Sequence, residues 1–275
     1  MIKFFYFSLI AFFFLSCTFK PDEQKVIRIS GSDTMLELTN SLALQFMKEN
    51  PGVSIIVEGG GTATGIKALI NGKTDICTAS RNLKPDEAKL LADYYGTLGL
   101  VYLIAKDALS IYVNKKNKVV DISLSDLKKI FTGQLENWSS IGGKDTSIIA
   151  LSRNPNSGTY LYFKEHVLEG SDYKDDILIE PTTKAIISFI EKNEDAIGYG
   201  GMGYRGNVSV LNIDGVKLIE NNIRNDTYPI IRYLHFLTTK TPTGDVKRFI
   251  DWVLSPSGQS IVRNSGYIPL WENKL

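Results

Sequence analysis

The chain has 275 residues, 43% of them hydrophobic and 22% charged, which is enough apolar material for one large or two ordinary domains. Lys and Arg number 31 against 30 Asp and Glu, a formal charge of +1 with no block of like charge. That balance excludes nucleic acid as the partner, and it requires any anion site to be built from a few placed groups rather than a basic field.

The N-terminus opens on Met1-Ile2-Lys3, followed by an apolar run from Phe4 to Leu15 and then Ser16-Cys17. This is the pattern of a secretory signal over residues 1–16, and the run is too short to span a bilayer permanently. Phe14-Leu15-Ser16-Cys17 resembles a bacterial lipobox, in which Cys17 would receive a diacylglyceryl group and become the mature N-terminus. Phe14 stands where that motif usually has Leu. Residues 17–25 then form a lipidated tether. The protein is expected to be exported and held by lipid on the outer face of the cytoplasmic membrane, the periplasmic side in a double-membrane bacterium. Cys77 is then the one remaining thiol, set in the apolar run Asp75 to Ala79, so a buried structural role is expected. Neither a disulfide nor a thiolate metal site is expected in the mature monomer, and His166 and His235 are too few for a histidine site.

Beyond the tether, Val26 to Ser30 is expected as a strand, Met35 to Glu49 as a helix and Val53 to Glu58 as a strand. Ile66 to Asn71 follows as a helix closed by Gly72, then Asp75 to Ala79 as a strand. This β-α-β-α-β order predicts an α/β domain with a mostly parallel sheet. Two long apolar runs come later, Leu100 to Val113, interrupted by Lys106-Asp107, and Tyr228 to Thr238. They predict a chain that crosses from one lobe to another and back. Lobe 1 would take residues 26–106 and 231–275, and lobe 2 residues 107–230. Within lobe 2, helices are expected at Ser125 to Phe131, Gly158 to Val167 and Thr183 to Lys192. Strands are expected at Ser147 to Ser152, Ala196 to Tyr199 and Val208 to Leu211. Helices from Gly244 to Leu254 and from about Ser257 to Asn264 should pack back on lobe 1.

One pattern occurs three times. Gly31-Ser32-Asp33-Thr34, Gly59-Gly60-Gly61-Thr62-Ala63-Thr64-Gly65 and Arg153-Asn154-Pro155-Asn156-Ser157-Gly158-Thr159 each follow a strand and open a helix. Such turns present hydroxyls, free backbone N–H groups and the positive end of a helix dipole, and they bind phosphate-like anions without net charge. In open α/β sheets they lie where ligands bind. A structural use competes at each turn, since Thr34 with Glu37 three residues on fits a capping box. Two arginines adjoin these turns, Arg81 after the third strand and Arg153 before the third turn, and a guanidinium matches a tetrahedral oxyanion.

These residues resemble the periplasmic phosphate-binding proteins of the phosphate ABC transporter, within the type II periplasmic binding protein superfamily. The resemblance runs from about Ile27 to the C-terminus. It is carried by Arg153 with Ser157-Gly158-Thr159, and by Ile130-Phe131-Thr132-Gly133 with Asn137-Trp138-Ser139-Ser140-Ile141-Gly142-Gly143. Ala196-Ile197-Gly198-Tyr199 and Gly266-Tyr267-Ile268-Pro269-Leu270 support it. It implies a two-lobed α/β fold, each lobe a mixed, mostly parallel sheet flanked by helices, joined by a two-segment hinge near Ala105 to Ser110 and Pro229 to Tyr233. It also implies a monomer that needs no cofactor or metal and delivers phosphate to permease subunits. The implied ligand set comprises Ser32, Thr34, the backbone N–H of Met35, Thr62 in place of a usual serine, Arg81, Arg153, Ser157, Gly158 and Thr159.

Some relatives place an Asp directly after the third strand, where it accepts the phosphate's proton. Here Thr78-Ala79-Ser80-Arg81 puts Arg81 at that place, as a second branch of the family does. Asp33 is a candidate replacement acceptor, with a helix cap as its structural alternative and backbone carbonyls as rival acceptors. Two other functions stay open: a binding protein for another oxyanion such as sulfate or molybdate, and a surface lipoprotein that kept the fold without transport. An enzyme is not expected, because Ser157 lacks a Gly-x-Ser-x-Gly elbow and a histidine base.

Overall fold

The computed structural model describes residues 25–271. The signal peptide, Cys17 and all of the tether but its last residue lie outside the described residues. Strand β1 (Lys25–Gly31) leads through a 3₁₀ turn at Asp33–Met35 into α1 (Leu36–Glu49). Then come β2 (Val53–Glu58), α2 (Thr62–Ile70), β3 (Ile76–Ala79) and α3 (Pro85–Tyr95). A single 15-residue strand, β4 (Leu100–Asn114), carries the chain onward to β5 (Asp121–Ile122) and α4 (Leu124–Phe131). A 3₁₀ turn at Trp138–Ile141 precedes β6 (Ile149–Arg153), α5 (Gly158–His166), β7 (Leu178–Glu180) and α6 (Thr183–Lys192). β8 (Ala196–Gly201), β9 (Val208–Val210), β10 (Asn212–Ile213) and α7 (Glu220–Arg224) follow. The chain returns on β11 (Ile231–Thr238) and finishes with α8 (Gly244–Leu254) and α9 (Pro256–Asn264).

The main sheet runs β2-β1-β3-β11-β4-β8-β6-β7, with β9 also paired to β4. β1 is parallel to β2 and β3, and β6 is parallel to β7 and β8, so each lobe has the parallel centre expected of α/β connections. β11 is antiparallel to both β3 and β4. The two apolar runs singled out in the sequence are therefore paired neighbours. β4 serves both lobes: Leu100 to Ala108 pair with β11, and Leu109 to Val113 pair with β8.

Two separate cores flank this shared ladder. One gathers Ile27, Ile29, Leu38, Leu42, Phe46, Phe236 and Phe249, with Phe46 edge-on to Phe249 at 5.2 Å. The other gathers Leu127, Phe131, Trp138, Phe163 and Tyr199, with Phe163 stacked on Tyr199 at 3.9 Å. Each such buried side chain contributes about 1.5–3 kcal/mol, so each lobe holds itself together. No helix among the described residues is long and apolar enough to cross a membrane. Cys77 is buried and free, and desolvation pushes its thiol well above the ordinary value.

Several elements differ from the sequence expectation: the short β5, β7 and α7 have no counterpart in it, the strand expected at Val208 to Leu211 is split into β9 and β10, and α2 and α3 differ for identifiable reasons. α2 begins at Thr62 rather than Ile66, because Gly65 lies inside the helix at a close approach to β1. A Cβ there would meet the Gly31 Cα at 2.5 Å and the Cys77 Sγ at 2.9 Å. α3 has no counterpart in the expected elements, because Leu91 is its one fully buried residue and its apolar spacing is correspondingly faint. Pro85 at its start and Glu87 in its first turn were the available signs.

Candidate functional site

Three strand-to-helix turns converge where the lobes meet. From lobe 1, the turn after β1 supplies Asp33 and Thr34, and the first turn of α2 supplies Thr62. Ser80 follows β3. From lobe 2, the first turn of α5 supplies Ser157, Gly158 and Thr159. Thr34, Thr62, Ser80, Ser157 and Thr159 are all buried. The Thr34 and Thr159 hydroxyls, from opposite lobes, lie 2.8 Å apart. Thr62 Oγ1 accepts the Ser80 N–H at 3.2 Å, and the two hydroxyl oxygens lie 3.5 Å apart. Gly158 sits directly against this pair, for a Cβ would stand 2.4 Å from Thr62 Oγ1 and 2.6 Å from Ser80 Oγ. Only a glycine lets the α5 N-terminus approach so closely.

The capping-box reading of Thr34 and Glu37 does not hold. The Thr34 hydroxyl faces Thr159, neither the 3₁₀ turn nor α1 has a side-chain cap, and Glu37 pairs with Lys184. Ser157 does cap α5, its Oγ accepting the Thr159 N–H at 3.2 Å. The Met35 N–H donates to the Ser32 carbonyl at 3.0 Å, and Ser32 itself is buried, its N–H on the Thr78 carbonyl.

Arg153 is fully buried and bridges the lobes. Its Nη2 pairs with Asp33 Oδ2 at 2.8 Å and donates to the Pro181 carbonyl, while Nη1 donates to Thr183 Oγ1. Burial lowers its pKa, against the pull of the Asp33 charge. Asp33 Oδ1 accepts the Gly60 N–H at 2.8 Å, so this carboxylate links two turns of lobe 1 to the arginine of lobe 2. Asn156 adds further contacts across the cleft. Its Nδ2 donates to the Gly60 carbonyl and Thr64 Oγ1, and its carbonyl accepts the Ala63 N–H.

Arg81 is not brought into the hydroxyl cluster. Both of its Nη groups fork onto Glu87 of α3 at 2.7–2.8 Å, and Nη1 also donates to the Asn82 carbonyl. Glu87 at the same time accepts the Lys84 N–H that opens α3, so helix start and arginine position are fixed together.

A different arginine occupies the cluster. Arg232, on β11, places Nη1 at 3.1 Å from Thr159 Oγ1 and 3.3 Å from the Ser80 carbonyl, with Nη2 3.5 Å from Thr34 Oγ1. Its Nε is held by Asp107 Oδ2 at 2.8 Å, and Asp107 Oδ1 accepts the Met202 N–H. Burial pushes the Asp107 carboxyl up, while the Arg232 charge and its hydrogen bond pull it back. Sequence reasoning missed both residues, yet the signal was present: each is a charge inside one of the two long apolar runs, and they are Cα partners across the ladder.

A cavity of about 390 Å³ has Arg232 in its wall, together with Arg81, Tyr162, His166 and His235 among others. The Tyr162 ring lies 5.6 Å from the Arg232 guanidinium and is stacked by His166 at 3.9 Å. His166 Nδ1 lies 3.0 Å from the Tyr162 carbonyl, and Ser157 is engaged in its helix cap, which is no nucleophile–base arrangement. Among the described residues no cluster could hold a metal. Buried hydroxyls, helix N-termini and a fixed guanidinium suit a small, dehydrated oxyanion.

Known proteins share this plan. Residues 20–257 match the model of the PBP superfamily domain. The phosphate-binding protein PstS of Bacillus subtilis is 35% identical over 255 residues, covering 90% of this chain and 82% of the relative. An ABC-transporter substrate-binding protein of Clostridium perfringens, solved with bound phosphate, superposes with a TM-score of 0.84 at 32% identity. That match covers 90% of this chain and all of the other. PstS of Borrelia burgdorferi superposes with a TM-score of 0.61 at 26% identity, covering 90% and 100% of the two chains.

Proposed function

This chain belongs to the PBP superfamily, in the family of the PstS phosphate-binding proteins, and from that premise we propose that it binds inorganic phosphate between its two lobes and hands it to an ABC transporter. It acts as a binding protein and not as an enzyme. The observation that carries this reading is the meeting of Thr34, Thr62, Ser80 and Thr159 hydroxyls with the α5 N-terminus, at the point where both lobes and Arg232 converge. Hydroxyls and backbone N–H groups replace the hydration shell of a tetrahedral oxyanion, and the helix dipole favours its charge.

The ligand set proposed from lobe 1 is Ser32, Thr34, the Met35 backbone and Thr62. Lobe 2 contributes Arg153, Ser157, Gly158 and Thr159. Arg81 acts one step removed, by fixing the loop that carries Ser80. Asp33 remains the candidate proton acceptor, working alongside its partner Arg153. Closure moves lobe 2 (107–230) against lobe 1 (26–106 and 231–275) as a rigid body, bending near 105–110 and 229–233. The closed form presents both lobes to a permease, while the diacylglyceryl group on Cys17 holds the protein at the outer face of the cytoplasmic membrane.

Calorimetric titration with phosphate, with sulfate and arsenate as competitors, tests the reading. The wild type should bind phosphate tightly, and Arg153→Ala should weaken binding by at least about 2 kcal/mol, from lost charged hydrogen bonds in a buried site. Absence of phosphate binding, or preference for sulfate, would refute it.

A further inference from the structure

We propose that Arg232 is a direct ligand of the bound oxyanion and makes the site select the dianion; this deepens the phosphate-binding reading and rests on it. Three buried arginines lie in or beside the site, and their donors are engaged differently. Arg81 turns both Nη groups to the Glu87 carboxylate, and Arg153 turns Nη2 to Asp33. Arg232 gives only its Nε to a carboxylate, Asp107, at 2.8 Å. Its two Nη groups point instead at the Thr159 and Thr34 hydroxyls and the Ser80 carbonyl. The Nη edge is the forked, bidentate edge that matches two oxygens of a tetrahedral anion.

The position of that edge matters as much as its chemistry. Thr34 and Thr159 are 2.8 Å apart, so an oxyanion that accepts from both hydroxyls lies within reach of the guanidinium behind them. Asp107 locks the arginine from the opposite side, and the two residues are Cα partners on the strands that join the lobes. Arg232 thus holds its place while hydroxyls from either lobe close over the ligand.

The charge preference follows from what the carboxylates do. Asp33 is engaged by Arg153 and the Gly60 N–H, and Asp107 by Arg232 and the Met202 N–H. Donors therefore dominate around the hydroxyl cluster, and donors favour the more highly charged anion. Other titratable groups lie near Arg232: Arg81 from the loop after β3, Tyr112 from β4, Tyr162 from α5, Tyr267 from the C-terminal segment and His235 on its own strand. Glu165 and His166 lie on the cavity wall. His166→Gln is the control for a titration that does not belong to the ligand.

The test is calorimetry of the mature full-length chain with orthophosphate and with sulfate between pH 5.5 and 8. Orthophosphate gains its second charge within this range, so wild-type affinity for total phosphate should rise by roughly twenty- to fortyfold as the dianion becomes the major species. Arg232→Gln should weaken phosphate binding at least about thirtyfold at pH 8 and flatten that rise. The double variant Asp107→Asn/Arg232→Gln leaves no unpaired buried charge and should lose binding equally while keeping a cooperative melt. Arg232→Lys, which keeps the charge without the fork, should bind more weakly yet retain the pH slope. Arg232→Gln with affinity within about threefold of wild type and an unchanged slope would overturn the assignment. A His166→Gln chain that alone abolishes the slope would overturn the charge selection. A wild-type chain that takes up no phosphate would sink the functional reading, and this inference with it.

Discussion

The buried polar residues of the cleft are set by pairing. Arg153 with Asp33, Arg232 with Asp107 and Arg81 with Glu87 each remove a charge from water only in company. Among the described residues His235 has no such partner charge. It is 4% exposed, and burial pulls its pKa from 6.5 to about 4, with the Arg232 charge pushing the same way. A histidine whose folded-state pKa is depressed stabilises the fold above its unfolded value, and that contribution is lost as pH falls from about 6.5 towards 4. The wild type should therefore lose on the order of 2–3 kcal/mol between pH 7 and 4.5 beyond what a His235→Gln variant loses, measured by urea unfolding at both pH values. Equal losses in the two proteins would show that His235 is charged in the fold. At this scale the sequence was partly legible. Thr34, Thr62, Arg153, Ser157, Gly158 and Thr159 were found because small residues and hydroxyls before helices form a local pattern. Arg232 and Asp107 were not, because their partnership spans 125 residues and exists only once β4 and β11 pair.

Among the elements, α5 would govern the proposed closure. Its N-terminus must come within van der Waals contact of Thr62 and Ser80 in the other lobe, and the missing side chain of Gly158 is what allows this. Gly158→Ala should leave the ligand-free protein with a near-native melting temperature, since the clash lies between lobes and not within one. Phosphate affinity should drop by tenfold or more, on the order of 1.4 kcal/mol, and the ligand-induced fall in radius of gyration should vanish in small-angle scattering. Normal compaction by phosphate in this variant would show that the lobes meet differently. Most elements could be anticipated from periodicity. Val53–Glu58, Thr183–Lys192 and Gly244–Leu254 match their expected bounds, because each alternates or repeats its apolar residues against one core. α3 was invisible for the opposite reason. Its Leu90, Tyr94 and Tyr95 are exposed, so no apolar face marks it, although its first turn holds Arg81 in place.

At the scale of the whole molecule, the two-lobed plan was legible because two long apolar runs have no use in a single small sheet. The common ladder they build was not legible, since pairing partners cannot be read from composition. The described chain starts on β1 in lobe 1, so a tether on Cys17 would hold that lobe and leave lobe 2 free to swing. Cys17→Ala should move the protein from the detergent-rich to the aqueous phase in Triton partitioning of whole cells; unchanged partitioning would rule out the anchor. The joint itself has a further consequence. Lobe 2 leaves and re-enters lobe 1 at positions that face each other across one ladder, Asp107 opposite Arg232. It is an insertion into a hairpin. Loops and helices of lobe 2 can therefore drift, lengthen or be exchanged without altering a single strand order in lobe 1, and the two halves of the cleft can be remodelled independently while the fixed guanidinium between them keeps its place.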